Sequence, residues 1–319
     1  MGLRIYTGED DQSEEEETTP EENFLGQYIP LHYHCNMLQD KVRVGAFRDA
    51  IALRVEPGMH ILELGGGTGI LSYLAAKQGA RVTCVERNPE LVRCAKQLLK
   101  QNGMGDVVEV LNADARHFIP NEPVDVVVCE MLHVALLREK QLEVIEAFKS
   151  HYQNEVSQQL PKFLPEASIL MVQPVEQSYD FAGYWAPVPL FQEPQQSIEG
   201  TAELGALTAY STVFYDDHFS HQFHWRGELP IEQSGRLTGL RFVTQNAIAI
   251  DVSNQQSINW PNQCMVLPVE EPLQVVKGQS VRIEFRYSAG NSIETLTQSL
   301  QVSVVEQASS KTVQSRVAG

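Results

Sequence analysis

Met59-His60-Ile61-Leu62-Glu63-Leu64-Gly65-Gly66-Gly67-Thr68-Gly69-Ile70 is the stretch on which the fold turns. After the turn pair Pro57-Gly58, residues 59–64 form an apolar run of strand length. It breaks into glycines at every second position and leaves as the helical pattern 70–78. Such glycines let backbone come close to a ligand, and the N–H groups opening the next helix face it. A dinucleotide fingerprint needs glycines at i, i+2 and i+5, and here the last position falls on Ile70. The P-loop lysine is missing too, so the segment points to a nucleoside and not to a nucleotide phosphate chain.

Working outward, strand and helix patterns alternate. A strand at 81–85 leads to a helix that Asn88 caps, Pro89 opens and Gly103 ends, with Leu91, Ala95, Leu98 and Leu99 on one face. Strands at 107–111 and 124–129 follow, then a helix near 137–148. This order predicts parallel strands joined by crossover helices. Near residue 160 the character changes. Val281, Ile283, Phe285 and Tyr287 alternate with polar residues, and Leu296, Leu300 and Val302 do so more loosely. Runs at 168–173, 209–215, 240–244 and 264–269 are separated by Gly, Pro and Asn, which predicts an all-β barrel or sandwich. The expected organisation is an acidic tail at 1–23, an α/β domain at 24–160, a β-barrel at 161–305 and a flexible tail at 306–319.

The chain has 319 residues, 43% of them apolar, enough for two cores and too apolar for an all-disordered protein. Its 24 basic against 41 acidic residues give −17, which argues against nucleic acid as a partner. Residues 9–22 carry nine acids and no base, leaving −8 on the other 305 residues. Five scattered cysteines without a CxxC pair fit a reducing compartment. No apolar run reaches the length of a membrane span and no signal pattern opens the chain, so a cytoplasmic protein is expected. Asp216-Asp217-His218-x-x-His221-x-x-His224 has helical metal-ligand spacing in a strand-like context, where that spacing alternates faces, so no metal is expected.

The spacing Glu63-x-Gly65-x-Gly67-x-Gly69 resembles motif I of class I S-adenosylmethionine-dependent methyltransferases. Two more acids stand where a Rossmann-like fold of that kind needs them. Glu86 ends the second strand, where a carboxylate accepts both ribose hydroxyls. Asp114 follows the third strand, able to accept from the adenine amino group while the Ala115 N–H donates to the ring. Three such features in order, each after its own strand, set S-adenosylmethionine as the expected cofactor.

After the fourth strand come Cys129-Glu130-Met131-Leu132-His133-Val134-Ala135-Leu136-Leu137-Arg138-Glu139. In one continuous helix Glu130 and Glu139 would point to opposite sides, so they converge only if the chain folds back first. The segment resembles the double-glutamate loop of protein arginine methyltransferases. Phe24-x-x-x-Tyr28, the run His34-Cys35-Asn36-Met37-Leu38-Gln39-Asp40-Lys41-Val42-Arg43 and Arg48-Asp49-Ala50-Ile51 resemble that family's N-terminal helices. The similarity covers residues 24–150 and extends loosely through a C-terminal β-barrel. It implies that Glu130 and Glu139 grip a guanidinium and are catalytic. It assigns Arg43 to the methionine carboxylate, with His34 beside it, and closes Phe24 and Tyr28 over the cofactor.

Several positions depart from the family. Met131 and His133 replace a Trp and a bend Gly, and Phe24 replaces a Tyr. The family's Thr-His-Trp loop matches Ile258-Asn259-Trp260, so the His that pairs with the acid matched by Asp40 becomes Asn259, which takes up no proton. Arg116 replaces an adenine-side glutamate, with Asp114 substituting. The dimerisation arm, around 191–209, is short and polar, which lowers the weight of a homodimer. The expectation is methyl transfer to a protein or peptide side-chain nitrogen, arginine first. A non-arginine side chain or a small molecule stays open, as does an inactive interaction module of the same fold.

Overall fold

The computed structural model describes residues 29–194 and 200–305. A short helix α1 (His34–Gln39) leads into α2 (Lys41–Arg54), whose N-terminus is capped by the Asp40 carboxylate accepting from Val42 N at 3.0 Å and Arg43 N at 2.9 Å. The buried face of α2 is Arg43, Ala46, Phe47, Ala50 and Ile51, the spacing of an amphipathic helix, so Arg43 points inward.

Five strands then form one parallel sheet: β1 (His60–Leu64), β2 (Arg81–Glu86), β3 (Val108–Asn112), β4 (Val126–Cys129) and β5 (Lys162–Leu164), ordered β3-β2-β1-β4-β5. The crossovers carry α3 (Ile70–Lys77), α4 (Pro89–Gln101) and α5 (Gln141–Glu155). β1 is buried along its whole length, as a parallel strand covered on both faces must be. The strand order reverses between β1 and β4, and ligands of open α/β sheets sit outside the carboxyl ends at that point. Asn88 does cap α4, accepting from Glu90 N at 2.9 Å, and Gly103 follows with φ 75°.

Two boundaries differ from expectation. The helix placed near 137–148 runs from Gln141 to Glu155, because Ala135, Leu136 and Arg138 are left-handed and cannot enter a right-handed helix. The parallel sheet also runs past residue 160, since β5 pairs with β4.

The antiparallel region comprises β6 (Ala167–Gln177), the hairpin β7 (Asp180–Phe181) and β8 (Tyr184–Trp185), β9 (Leu190–Gln192), β10 (Thr201–Glu203), β11 (Thr208–Phe214), β12 (Gln222–Pro230), β13 (Gly235–Asp251), β14 (Gln256–Pro261), β15 (Cys264–Val275), β16 (Ser280–Ser288) and β17 (Gln301–Val304). Its main path is β10-β6-β13-β15-β9, with β11 on β6 and β14 on β13. Gln192 Nε2 donates to Thr201 Oγ1 at 3.1 Å, bringing the two ends of that path together as a barrel. The sheet β12-β16-β17 packs on it through Tyr210, Trp225, Phe242 and Phe285. Leu296, read as part of a loose strand, lies in a helix instead: α6 (Ile293–Ser299) buries it beside Ile293 as one amphipathic face. One contiguous apolar core joins the parallel sheet to the barrel.

Candidate active site

The cleft at the carboxyl ends of β1 and β4 is lined by His34, Arg43, Glu63, Gly65, Gly67, Glu86, Asp114, Ala115, Glu130 and Glu139, together with residues of α1 and the opening turns of α3 and α4. Residues from six separate stretches of sequence thus meet in one place. Phe24 and Tyr28 lie outside the described residues. Gly69 turns away: a Cβ there would meet Leu99 Cδ1 at 3.1 Å, so this glycine lets α3 approach α4.

The glycine loop is a cradle that side chains would fill. Gly67 has φ 55°, and an added Cβ would stand 2.7 Å from His34 Cε1. Gly65 has φ 78°, and a Cβ added there would stand 3.1 Å from Met131 Cε. Gly66, which the motif leaves free, is fixed by packing, since a Cβ would fall 2.1 Å from Cys84 Sγ. Glu86 accepts from Gly67 N at 2.9 Å through Oε2 and from Asn88 N at 2.8 Å through Oε1. Each oxygen keeps a lone pair for a further donor, which suits a vicinal diol. Burial pushes the Glu86 carboxyl up, and these backbone N–H groups pull it back. Glu63 accepts from Ser72 N at 2.9 Å and from the Ser72 hydroxyl, and burial raises it to about 7. Among the lining residues, the buried His34 Nε2 and Asn88 Nδ2 lack a protein partner. Burial, then the nearby Arg43 charge, lowers His34, so its ring is neutral at pH 7. Cradle, diol acceptor and the unpaired polar atoms of His34 and Asn88 fit the adenosine and amino-acid halves of S-adenosylmethionine. Asn88 was legible only as a helix cap; its second amide atom shows its use once α4 is placed.

Three residues have partners other than those expected. Arg43 makes a fork onto Glu130 Oε2, with Nε at 2.8 Å, so its guanidinium is held by a carboxylate of the chain itself. Asp114 accepts from the Arg116 guanidinium and backbone N–H, which hold its carboxyl at about 2 against the cost of burial. Asn259 does not reach Asp40: it is exposed on β14 and donates to Ser257 Oγ at 2.8 Å, while Asp40 caps α2. Trp260, its neighbour, points inward against Phe47 and the Arg43 guanidinium.

The fold-back required of Glu130 and Glu139 is present. Ala135, Leu136 and Arg138 take φ 59°, 54° and 63°, and both glutamates line the cleft. The bend falls later than His133, which stays extended, packs edge-on against Phe191 and donates Nδ1–H to Val134 O at 3.1 Å. Burial lowers His133 to about 4, so it is a packing residue and not a base. The Glu130 side chain is 7% exposed; burial raises its carboxyl while Arg43 opposes the shift. Glu139 is partly exposed as a residue, but its carboxyl is in the walled part of the cleft. Burial first, then repulsion from Glu130, pushes it up to about 8.

A folded-state value of about 8 against an ordinary 4.5 means that folding retains a proton on Glu139. The stability this gives is complete below the ordinary value and is lost as pH rises through the raised one, and Glu63 acts in the same direction. The thermal midpoint of the ligand-free protein is therefore expected to fall between about pH 4.5 and 8 and to level off above. Glu139→Gln should flatten the upper part of that fall, and a midpoint that climbs across the window would refute the assignment.

Among the described residues no cluster of His, Cys, Asp and Glu suits a metal ion; His221 faces Glu146 at 2.8 Å and His224 faces Glu284 at 3.4 Å. No described helix is long and apolar enough to cross a membrane.

Residues 61–154 match the family model described as a methyltransferase domain. An uncharacterized protein of Methanothermobacter thermautotrophicus is 28% identical over 270 residues, covering 84% of this chain and 97% of that protein. Protein arginine N-methyltransferase 2 of Xenopus tropicalis is 34% identical over 147 residues, covering 44% of this chain and 34% of that enzyme. The solved structure of the Trypanosoma brucei PRMT1 enzyme–prozyme heterotetrameric complex with AdoHcy superposes with a TM-score of 0.68 at 16% identity, over 88% of this chain and all of that one, a likeness of fold. Fold and matched domain define a class I methyltransferase whose cofactor is S-adenosylmethionine. Within that class the chain resembles the protein arginine methyltransferases, a parallel-sheet methyltransferase domain joined to a β-barrel.

Proposed function

We propose that this protein methylates a side-chain nitrogen of a protein or peptide, arginine first. The observation that carries this reading is the convergence of Glu130 and Glu139 on one cleft at the sheet's switch point. The bound cofactor supplies an electrophilic methyl group. Gly65, Gly67, Glu86, Asn88 and Ala115 are assigned to its nucleoside, and His34, Arg43 and Glu63 to its amino-acid end. A guanidinium has a pKa above about 12 and spreads its charge over three nitrogens, each a poor nucleophile. Two carboxylates on one side draw that charge toward themselves and leave the opposite nitrogen richer in electrons. Glu130 already binds a guanidinium, that of Arg43, so its surroundings suit such a fork. Glu139, with its raised carboxyl, is the group that releases its proton as a cation arrives.

A protein acceptor is supported by the surface beside the loop. Phe181, Tyr184, Trp185, Val188 and Phe191 are all exposed, and Phe191 touches His133. Residues 163–217 hold eight acids and no Lys, Arg or His, so this apolar rim favours a basic chain. Within the segment that resembles the dimerisation arm, β9 and β10 pair with β15 and β6 of the same chain. The exposed Asn259 favours the second reading, an acceptor other than arginine, since Asp40 has no histidine partner there. Incubating a cell lysate with the protein and methyl-labelled S-adenosylmethionine tests both. Label recovered as methylarginine in protein supports the first reading, label on another protein side chain or in small molecules supports the second, and no label anywhere leaves the inactive module.

A further inference from the structure

We propose that a chain of buried side chains in the barrel holds the Glu130–Glu139 loop in its folded-back form, making Thr244, Asn246, Asn262 and Ser168 positioning residues for the transfer. The inference rests on the reading of Glu130 and Glu139 given above. The loop contains no glycine, yet three of its residues are left-handed, and the backbone bonds within it run from Leu136 N to His133 O, Leu137 N to Val134 O and Glu139 N to Leu137 O, while the N–H groups of Ala135 and Arg138 bond outside it. Something outside it must therefore hold that conformation, since L-residues leave the left-handed region when released.

Backbone bonds from the turn after β16 hold two of these residues, Arg138 N donating to Asn291 O at 2.8 Å and Leu136 O accepting from Gly290 N at 2.9 Å; the side-chain restraint comes from β13 and the turn after β14. Thr244 Oγ1 accepts from Ala135 N at 2.7 Å, at the first left-handed residue. Asn262 Nδ2 donates to Leu132 O at 2.8 Å, on the limb that leaves Glu130. Thr244 and Asn246 are two apart on one strand and so share a face. Asn246 Nδ2 donates to Asn262 Oδ1, and Ser168 Oγ donates to Asn246 Oδ1 at 2.6 Å across the paired strands β6 and β13. With its hydrogen committed, Ser168 accepts from the Tyr215 hydroxyl at 2.7 Å. From Tyr215 through Ser168, Asn246 and Asn262 each donor thus points toward the loop, while Thr244 receives a donor from it. Ser168, Thr244, Asn246 and Tyr215 are 0% exposed and Asn262 is 6% exposed. From the other side, Gln141 at the start of α5 accepts from Met131 N and donates to Cys129 O, both at 2.8 Å.

Each donor and acceptor in such a chain has one satisfied arrangement, so the network fixes a conformation where apolar packing would allow several. The barrel then shapes the catalytic loop as well as offering a surface to the acceptor. Because both limbs are tied, loosening one changes the direction of Glu139 relative to Glu130 and leaves the nucleoside cradle on β1 and β2 untouched.

The test is Thr244→Val, which keeps the branched shape and removes the acceptor for Ala135 N, with Thr244→Ser as the conservative rescue. The expected result is unchanged S-adenosylmethionine affinity by calorimetry, kcat lowered about 10- to 100-fold with the acceptor KM changed less than about twofold, and kcat largely restored in Thr244→Ser. A role confined to stability would lower the thermal midpoint and leave kcat unchanged at temperatures where both proteins are folded, and that outcome overturns the proposal. A crystal structure of Thr244→Val supplies a readout independent of turnover: Ala135 retaining φ near 59° with Glu139 in place also overturns it. An unaltered protein that methylates nothing refutes the proposed function, whereas an active Thr244→Val refutes this inference alone.

Discussion

Glu130→Gln is expected to lower transfer by a factor of about 10²–10³ while S-adenosylmethionine still binds. The side chain keeps its shape and loses the charge that localises positive charge on the far side of an acceptor guanidinium. Arg43 keeps an amide oxygen to donate to but loses the opposite charge, so its guanidinium turns more readily to the carboxylate of the cofactor, and cofactor affinity should hold or rise. Calorimetry measures the affinity, and single-turnover transfer of label measures the chemical step. Full activity in the variant would remove Glu130 from the mechanism.

Gly67→Arg is expected to abolish cofactor binding outright. Gly67 has φ 55°, where an L side chain costs about 1–2 kcal/mol, and even a Cβ would meet His34 at 2.7 Å. The residue's N–H also holds Glu86 Oε2, so a displaced backbone disturbs the diol acceptor as well. Gly45→Ala is the control: nothing lies within 4 Å of a Cβ there, on α2, and it should leave binding unchanged and the helix slightly firmer. A Gly67→Arg protein that bound S-adenosylmethionine like its parent would place the nucleoside elsewhere.

Much of the cleft's lining along β1, β2 and β3 was legible in the sequence. Glu63, Gly65, Gly67, Glu86, Asp114 and Ala115 each lie within a few residues of a strand's carboxyl end, and in a parallel sheet those ends meet at one edge. Their roles follow from local chain direction, which alternation of strand and helix determines. The helix after β4 was misplaced for the complementary reason. Residues 135–138 carry no glycine to announce a left-handed turn, so an apolar periodicity there reads as helix.

Partners drawn from distant segments followed another rule. Arg43 and Glu130 are 87 positions apart, and nothing local to either one says that they form an ion pair. Asn259 was matched to Asp40 by family pattern, yet its strand directs it to solvent and gives Trp260 the inward place. The parallel sheet, its glycine cradle and the acids at its edge could be read from the chain alone, because each depends on neighbouring residues. That the two glutamates line one cleft came from the folded molecule, in which the loop between them bonds to Thr244 and Asn262, more than a hundred residues away.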